Sequence, residues 1–235
     1  MKKLAVVLFA VALVLGSVGV SDALLLLSED FTGGTIHDNL TIDLTDNPPS
    51  GANDNLGKWI DFPNTFRWGI SDNGQSGSGD YYAQHLVQTS DNTNLLFYGI
   101  DLSPYPALTE VTLEFDYIAS NRKPKIAIAG LLNGQHKLDP YGGWFSGDPA
   151  GDDGVILYEA QIDKQASWYI DKQITVPVSQ DFDVLALGFI MGGIEGSRGI
   201  DNVEVNATPV PEPATILLIG TGLVGFGVFR KKFKK

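Results

Sequence analysis

Cysteine is absent from this 235-residue chain. Disulfide frameworks, thiol nucleophiles and thiolate zinc sites are thereby excluded, and stability has to come from a packed core. Histidine is scarce: His37, His85 and His136 stand in separate contexts without H-x-H or H-E-x-x-H spacing, so a histidine-built metal centre is not expected. Positive charge is thin in the body of the chain. Between residues 24 and 208 there are 26 acidic and 9 basic side chains, a net charge of −17, and the cations are scattered along the sequence. Nucleic-acid binding needs a basic face, so it is not expected here; an acid excess suits solubility, divalent cations or a place outside the cell. Sustained helical periodicity is missing too, as are a G-x-S-x-G elbow, a phosphate loop and paired catalytic histidines.

What is present at the start is a short greasy leader. Residues 1–23 place Lys2 and Lys3 ahead of an apolar run from Leu4 to Leu15, then small residues and a Ser21-x-Ala23 pattern. Charged, apolar and small-residue regions in that order predict a secretory signal peptide. An uncleaved anchor is the alternative, for which the apolar run is short.

Strand patterns fill the middle. Over 108–120, Val111, Leu113, Phe115 and Tyr117 alternate with Thr112, Glu114 and Asp116, a period of two that sets one face on a core. Similar runs occur at 24–31, 58–62, 65–70, 81–88, 94–102, 124–132, 154–162, 168–178, 183–191 and 199–205, separated by Gly, Asn, Asp, Ser and Pro clusters. About eleven short strands with turn chemistry between them predict an all-β fold, an antiparallel jelly-roll or lectin-like β-sandwich over residues 24–207. Segments 45–55, 71–80 and 146–154, rich in small and acidic residues, read as long loops.

After Val205 the chain reads "NATPVPEP", an extended stiff spacer by its prolines. Residues 214–229 then run without a charge, and 230–235, "RKKFKK", supply five cations in six residues. As a helix the apolar run would be ~24 Å long, slightly less than the hydrocarbon layer, and its basic end would stop at the cytoplasmic face. This predicts a transmembrane helix within a C-terminal segment, 208–235. Val210, Pro211, Glu212 and Pro213, the apolar run and the terminal basic cluster together resemble the PEP-CTERM sorting signal of Gram-negative bacteria. The resemblance implies recognition by an exosortase, a membrane-embedded transpeptidase-like enzyme, removal of the tail, and transfer from an inner-membrane-anchored precursor to the cell surface or extracellular matrix. Such proteins accompany exopolysaccharide and biofilm production. A plain C-terminal anchor is the alternative.

Candidate chemistry in the domain is of three kinds. "SEDF", with Glu29 and Asp30 near the first strand, and "GIDNV", with Asp201 and Asn202 on the last, resemble jelly-roll carbohydrate-binding modules and adhesion domains, in which first and last strands are neighbours. That resemblance implies a structural Ca²⁺ on Glu29, Asp30, Asp201 and Asn202, hard oxygen donors suited to the ion; solvent-facing edge carboxylates are the alternative. Asp148, Asp152 and Asp153 form a second acidic group that lacks the EF-hand pattern. Among aromatics able to stack on sugar rings, Tyr141 and Trp144 sit among glycines in "DPYGGWFSGD" and lead, followed by Trp59 and Trp68, whereas Trp168 reads as strand packing. Glu114 and Asp116 share one strand face, which resembles the placement in retaining glycosidases of sandwich fold, but Tyr117-Ile118-Ala119 follows where those families carry a further acid, and a wet strand face accounts for the pair. The expectation is a non-catalytic exported protein that binds polysaccharide. A purely structural matrix component and, less well supported, a divergent polysaccharide hydrolase are the alternatives.

Overall fold

Alternation decides the strands. The structure, a computed structural model, describes residues 23–38, 42–43, 56–62, 68–75, 77–86, 95–131, 137–138, 154–178, 182–191 and 197–210. The elements are β1 (Leu24–Glu29), β2 (Ile36–Asp38), β3 (Ile42–Asp43), β4 (Trp59–Phe62), β5 (Trp68–Gly74), β6 (Gly77–His85), β7 (Leu95–Asp101), β8 (Leu108–Ala119), β9 (Lys125–Leu131), β10 (Lys137–Leu138), β11 (Gly154–Gln161), β12 (Gln165–Pro177), β13 (Val184–Ile190) and β14 (Arg198–Pro209). Each of the eleven predicted runs contains a strand among the described residues. Among the described residues no helix is long and apolar enough to cross a membrane; the expected signal peptide and the expected helix at 214–229 lie outside those residues.

Two sheets face each other. One runs β12-β8-β14-β6-β5 with β1 also on β14; the other runs β11-β9-β13-β7-β4-β2, and β3 and β10 form a separate pair. Pairing is antiparallel apart from β2 on β4, where Ile36 stands opposite Trp59. The first and last strands are neighbours, Leu24 opposite Ala207 and Glu29 opposite Val203. The sandwich forms one compact unit, Ala23–Thr208.

Both inner faces supply the core. From β8 come Val111, Leu113, Phe115 and Tyr117, from β14 Ile200, Val203, Val205 and Ala207, and from β13 Leu185, Leu187 and Phe189. Each large apolar side chain buried in this way contributes about 1.5–3 kcal/mol against exposure. The intervening residues of the second sheet, among them Phe97, Ala129, Val184 and Ala186, form a second buried cluster. That sheet is thus apolar on both faces, whereas the outer face of the first carries Thr112, Glu114, Asp116, Gln173, Thr175, Glu204 and Asn206. Polar side chains on that face leave it to the solvent.

Two expectations change here. Segment 71–80 is a tight hairpin, with Gly74 opposite Gly77 and Ser71 opposite Tyr82. Its small residues mark the turn while the flanking backbone still pairs. The final strand also runs on past Val205 to Pro209, because Asn206 to Thr208 retain their N–H groups and Ala207 alternates inward, 1% exposed.

Candidate binding face

The open face of the first sheet is shaped by irregularity in β12. Gln165 stands opposite Ala119, Tyr169 opposite Tyr117 and Lys172 opposite Phe115, so β12 carries extra residues on either side of Tyr169. Such bulges kink a strand and re-aim its side chains. Here the surplus carries Trp168 across the sheet to β6, where it meets Tyr82 edge-on at 5.2 Å. Tyr169, 41% exposed, packs on Tyr117 at 5.4 Å, and Ile170 beside it is 42% exposed. Three consecutive large side chains thus line the edge and outer face of one sheet, with Gln165 and Lys172 flanking them. Half-exposed aromatic rings bordered by polar groups are a carbohydrate-compatible arrangement.

Glycine sets the floor of this platform. A Cβ on Gly199 would stand 2.4 Å from the Tyr82 ring and 2.7 Å from the Ala83 carbonyl oxygen. Gly199→Ala therefore displaces Tyr82 and, through it, Trp168. The expected cost is about 1–3 kcal/mol in chemical denaturation, as for overpacking elsewhere, with a change in Trp168 fluorescence; an unaltered unfolding midpoint would show that Tyr82 is not fixed there.

Beneath the platform lies a carboxylate network. Asp116, buried on β8, accepts the Asp171 backbone N–H at 2.7 Å on Oδ1 and the Asn202 Nδ2 at 2.9 Å on Oδ2. Asp171 and Asn202 have φ of 55° and 47°, the left-handed region, and Asp116 joins both. Asp201, 1% exposed, accepts the Asn202 N–H at 2.8 Å on Oδ1, while its buried Oδ2 has no hydrogen-bond partner among the described residues. Burial foremost, then the charges of Asp80, Asp116 and Asp30, push its carboxyl up to about 7, against the Asn202 hydrogen bond that lowers it. Glu29 Oε1 accepts the Phe31 N–H at 2.7 Å, with Phe31 at φ 57°, and Asp30 Oδ1 accepts the Thr32 N–H at 2.9 Å.

The β1–β14 pairing thus brings Asp30 within electrostatic reach of Asp201, together with Asp80 and Asp116, which the sequence did not single out for this role. Among the described residues no three acidic or imidazole side chains converge closely enough to hold a metal by themselves. Asn202 directs its amide nitrogen to Asp116, and one Glu29 oxygen is engaged locally. The buried orphan oxygen of Asp201 is the feature that suits a hard cation, with backbone carbonyls or water completing the shell.

Other candidates are placed as follows. Trp59 and Trp68, expected to stack on sugars, are 3% and 4% exposed and belong to the core. Trp59 packs between Phe31 at 5.2 Å, Tyr98 at 4.8 Å and Phe189 at 6.1 Å, and Trp68 meets His85 edge-on at 5.3 Å. Burial removes their faces from any ligand. Trp168, expected as packing, is the tryptophan on the outer face among the described residues. Glu114 accepts a hydrogen bond from Gln173 Nε2 at 2.5 Å, so with Asp116 both members of the pair weighed for hydrolysis serve as structural acceptors. Tyr141, Trp144, Asp148, Asp152 and Asp153 lie outside the described residues, as do Pro211, Glu212 and Pro213. The segment bearing Tyr141 and Trp144 leaves β9 at Leu131 and returns into β11 at Gly154.

Comparison with known proteins matches residues 209–232 to the PEP-CTERM protein-sorting motif. The motif implies an exported protein, anchored by its C-terminus until an exosortase processes it. No curated protein matches the chain in sequence. Among solved structures the chain is similar to the CBM22-1 xylan-binding domain of Paenibacillus barcinonensis Xyn10C, at 9% identity over 82% of this chain and 99% of that one, with a TM-score of 0.46. It is also similar to the carbohydrate-binding module CBM6cm-2 of Cellvibrio mixtus lichenase 5A, at 11% identity, 72% and 96% coverage and a TM-score of 0.37. A third likeness is to the K3 adhesin domain of Porphyromonas gingivalis Lys-gingipain, at 14% identity, 78% and 98% coverage and a TM-score of 0.37.

Proposed function

We propose that this chain is a non-catalytic surface or extracellular-matrix protein of a Gram-negative bacterium, sorted by an exosortase, that binds polysaccharide across the outer face of the β12-β8-β14-β6 sheet. The observation that carries the binding reading is the Trp168 ring held edge-on against Tyr82 on the outer face, with Tyr169 and Ile170 exposed at the sheet edge. Side chains around it are ordered in advance by cross-strand contacts: Thr112 with Thr175 at 3.0 Å, and Gln173 on Glu114. Hydroxyl, amide and carboxylate groups held in this way meet sugar hydroxyls without a large ordering cost. A calcium ion held by Asp201, with Asp30 and neighbouring oxygens, would neutralise the acidic network below the platform and stiffen the β1–β14 junction.

Retention of the exported domain on polysaccharide columns tests the reading. Trp168→Ala is expected to lower affinity by roughly 1–3 kcal/mol, the loss seen when a stacking aromatic is removed, with the unfolding midpoint little changed. Trp144→Ala serves as the comparison, since Tyr141 and Trp144 were the leading aromatics by sequence. Loss of retention with Trp144→Ala alone would move the site to segment 132–153, and no retention of the unaltered domain on any glycan would leave a purely structural matrix component.

A further inference from the structure

We infer that the end of the sandwich from which the chain departs is a docking surface, and that the enzyme which reads the sorting motif seats on it. This rests on the exosortase reading above. The argument begins with the length of free chain. Strand β14 stays in the sheet to its last residues: Ala207 is opposite Leu24, Thr208 O accepts the Thr109 hydroxyl at 3.0 Å, and Val205 and Ala207 are 0% and 1% exposed. The motif match begins at the next residue, 209. Pro211 is the third residue past Thr208, and three residues fully extended span only about 10 Å, roughly the diameter of one helix. A protein that closes around Pro211-Glu212-Pro213 therefore touches the sandwich as long as β14 remains paired.

The surface it touches has relief. Thr109, which holds Thr208, also accepts the Val178 N–H at 2.8 Å on its carbonyl. Val178, Leu102, Tyr105, Pro106, Leu108 and Phe182, together with Ser103 and Asp183, line an open depression of about 240 Å³ whose surface is of mixed polar and apolar character. Hydrogen bonds from Leu102 N to Asp183 O at 2.8 Å and from Tyr105 N to Leu102 O at 2.9 Å hold the turn after β7 against the start of β13. Phe182 lies so close over Gly130 that a Cβ there would stand 2.4 Å from its ring. Leu25, 52% exposed, stands at the same end, on the strand opposite Asn206 and Ala207. A depression of mixed polarity with an acidic residue on its wall fits a protein partner that offers hydrogen-bond donors beside one apolar side chain.

The test follows tail removal by mass spectrometry in the full chain co-expressed with an exosortase. Ala107→Glu places a charge on an exposed residue of the recess, and its effect on folding is checked by an unchanged unfolding midpoint. A second variant inserts twelve Gly and Ser residues between Thr208 and Pro209, which uncouples the recess from the motif by diluting one against the other. Each change is expected to slow processing about tenfold, and Ala107→Glu is expected to add nothing once the spacer is present. Faster processing with the spacer, or an unaltered rate with Ala107→Glu, would overturn the docking surface and leave the paired end of β14 as an obstruction that has to peel away. Failure of the unaltered chain to lose its tail would overturn the sorting reading, and this one with it.

Discussion

Trp59→Ala is expected to lower the unfolding free energy by about 3–5 kcal/mol, the range for removing a buried aromatic side chain. Trp59 is 3% exposed and touches rings from three separate places in the chain: Phe31 after β1, Tyr98 on β7 and Phe189 on β13. Phe189 in turn meets Phe115 of the opposite sheet at 5.3 Å, so the indole stands at one end of an aromatic chain that bridges the sandwich. Deleting it leaves a void that rigid strands on both sides cannot collapse to fill. Urea denaturation measures the loss, and Trp168→Ala supplies the contrast, with a small stability change and a large loss of glycan retention. A Trp59→Ala protein of unchanged midpoint that no longer held glycan would return this residue to the list of sugar contacts and sink the core assignment.

The second large effect concerns Asp201 and its pH dependence. Its carboxyl is pushed up to about 7 from 3.8 by burial and by Asp80, Asp116 and Asp30. A group whose folded pKa stands above its unfolded value binds more protons in the folded state, so stability is full below pH 4 and is lost as pH rises through 7. The penalty above that window is on the order of 2–4 kcal/mol. Asp201→Asn, which removes the charge, is therefore expected to stabilise the calcium-free protein at pH 8 by a similar amount and to flatten the profile. Calcium should have the same effect on the unaltered domain by a different route, raising its midpoint at pH 8 and leaving Asp201→Asn unmoved. Melting curves with chelator and with added calcium at pH 5 and pH 8 check both arms. No calcium shift would end the metal reading, and a destabilised Asp201→Asn at pH 8 would show that the ionised carboxylate has a partner.

The strands were legible because a two-residue period and turn residues are local properties. Val111, Leu113, Phe115 and Tyr117 read as one inward face and are one. The adjacency of β1 and β14 also followed, through the resemblance to jelly-roll folds, and it put Asp30 and Asp201 in one neighbourhood. Exchange of roles among the tryptophans could not be read. Whether an indole faces core or solvent depends on register, and in β12 the extra residues around Tyr169 shift that register without any glycine or proline to announce them. "QASWYIDKQ" looks like ordinary strand. The run of three large residues W-Y-I, breaking alternation on what proves to be an edge strand, was the available sign. Asp116 was hidden for a related reason: its partners Asp171 and Asn202 come from strands 55 and 86 residues away.

Strand order has a consequence for the chain in time. β14, last in sequence, lies in the interior of its sheet, between β8 on one side and β6 with β1 on the other. A polypeptide that emerges N-terminus first, as from the ribosome, thus presents Leu24–Leu27 with their edge unpaired until residues 198–209 have followed, and bare apolar edges of that kind invite pairing with other chains. The first sheet is therefore joined up by its final segment: the β8–β12 and β5–β6 pairs need nothing from β14, but only β14 links them to each other and covers the edge of β1.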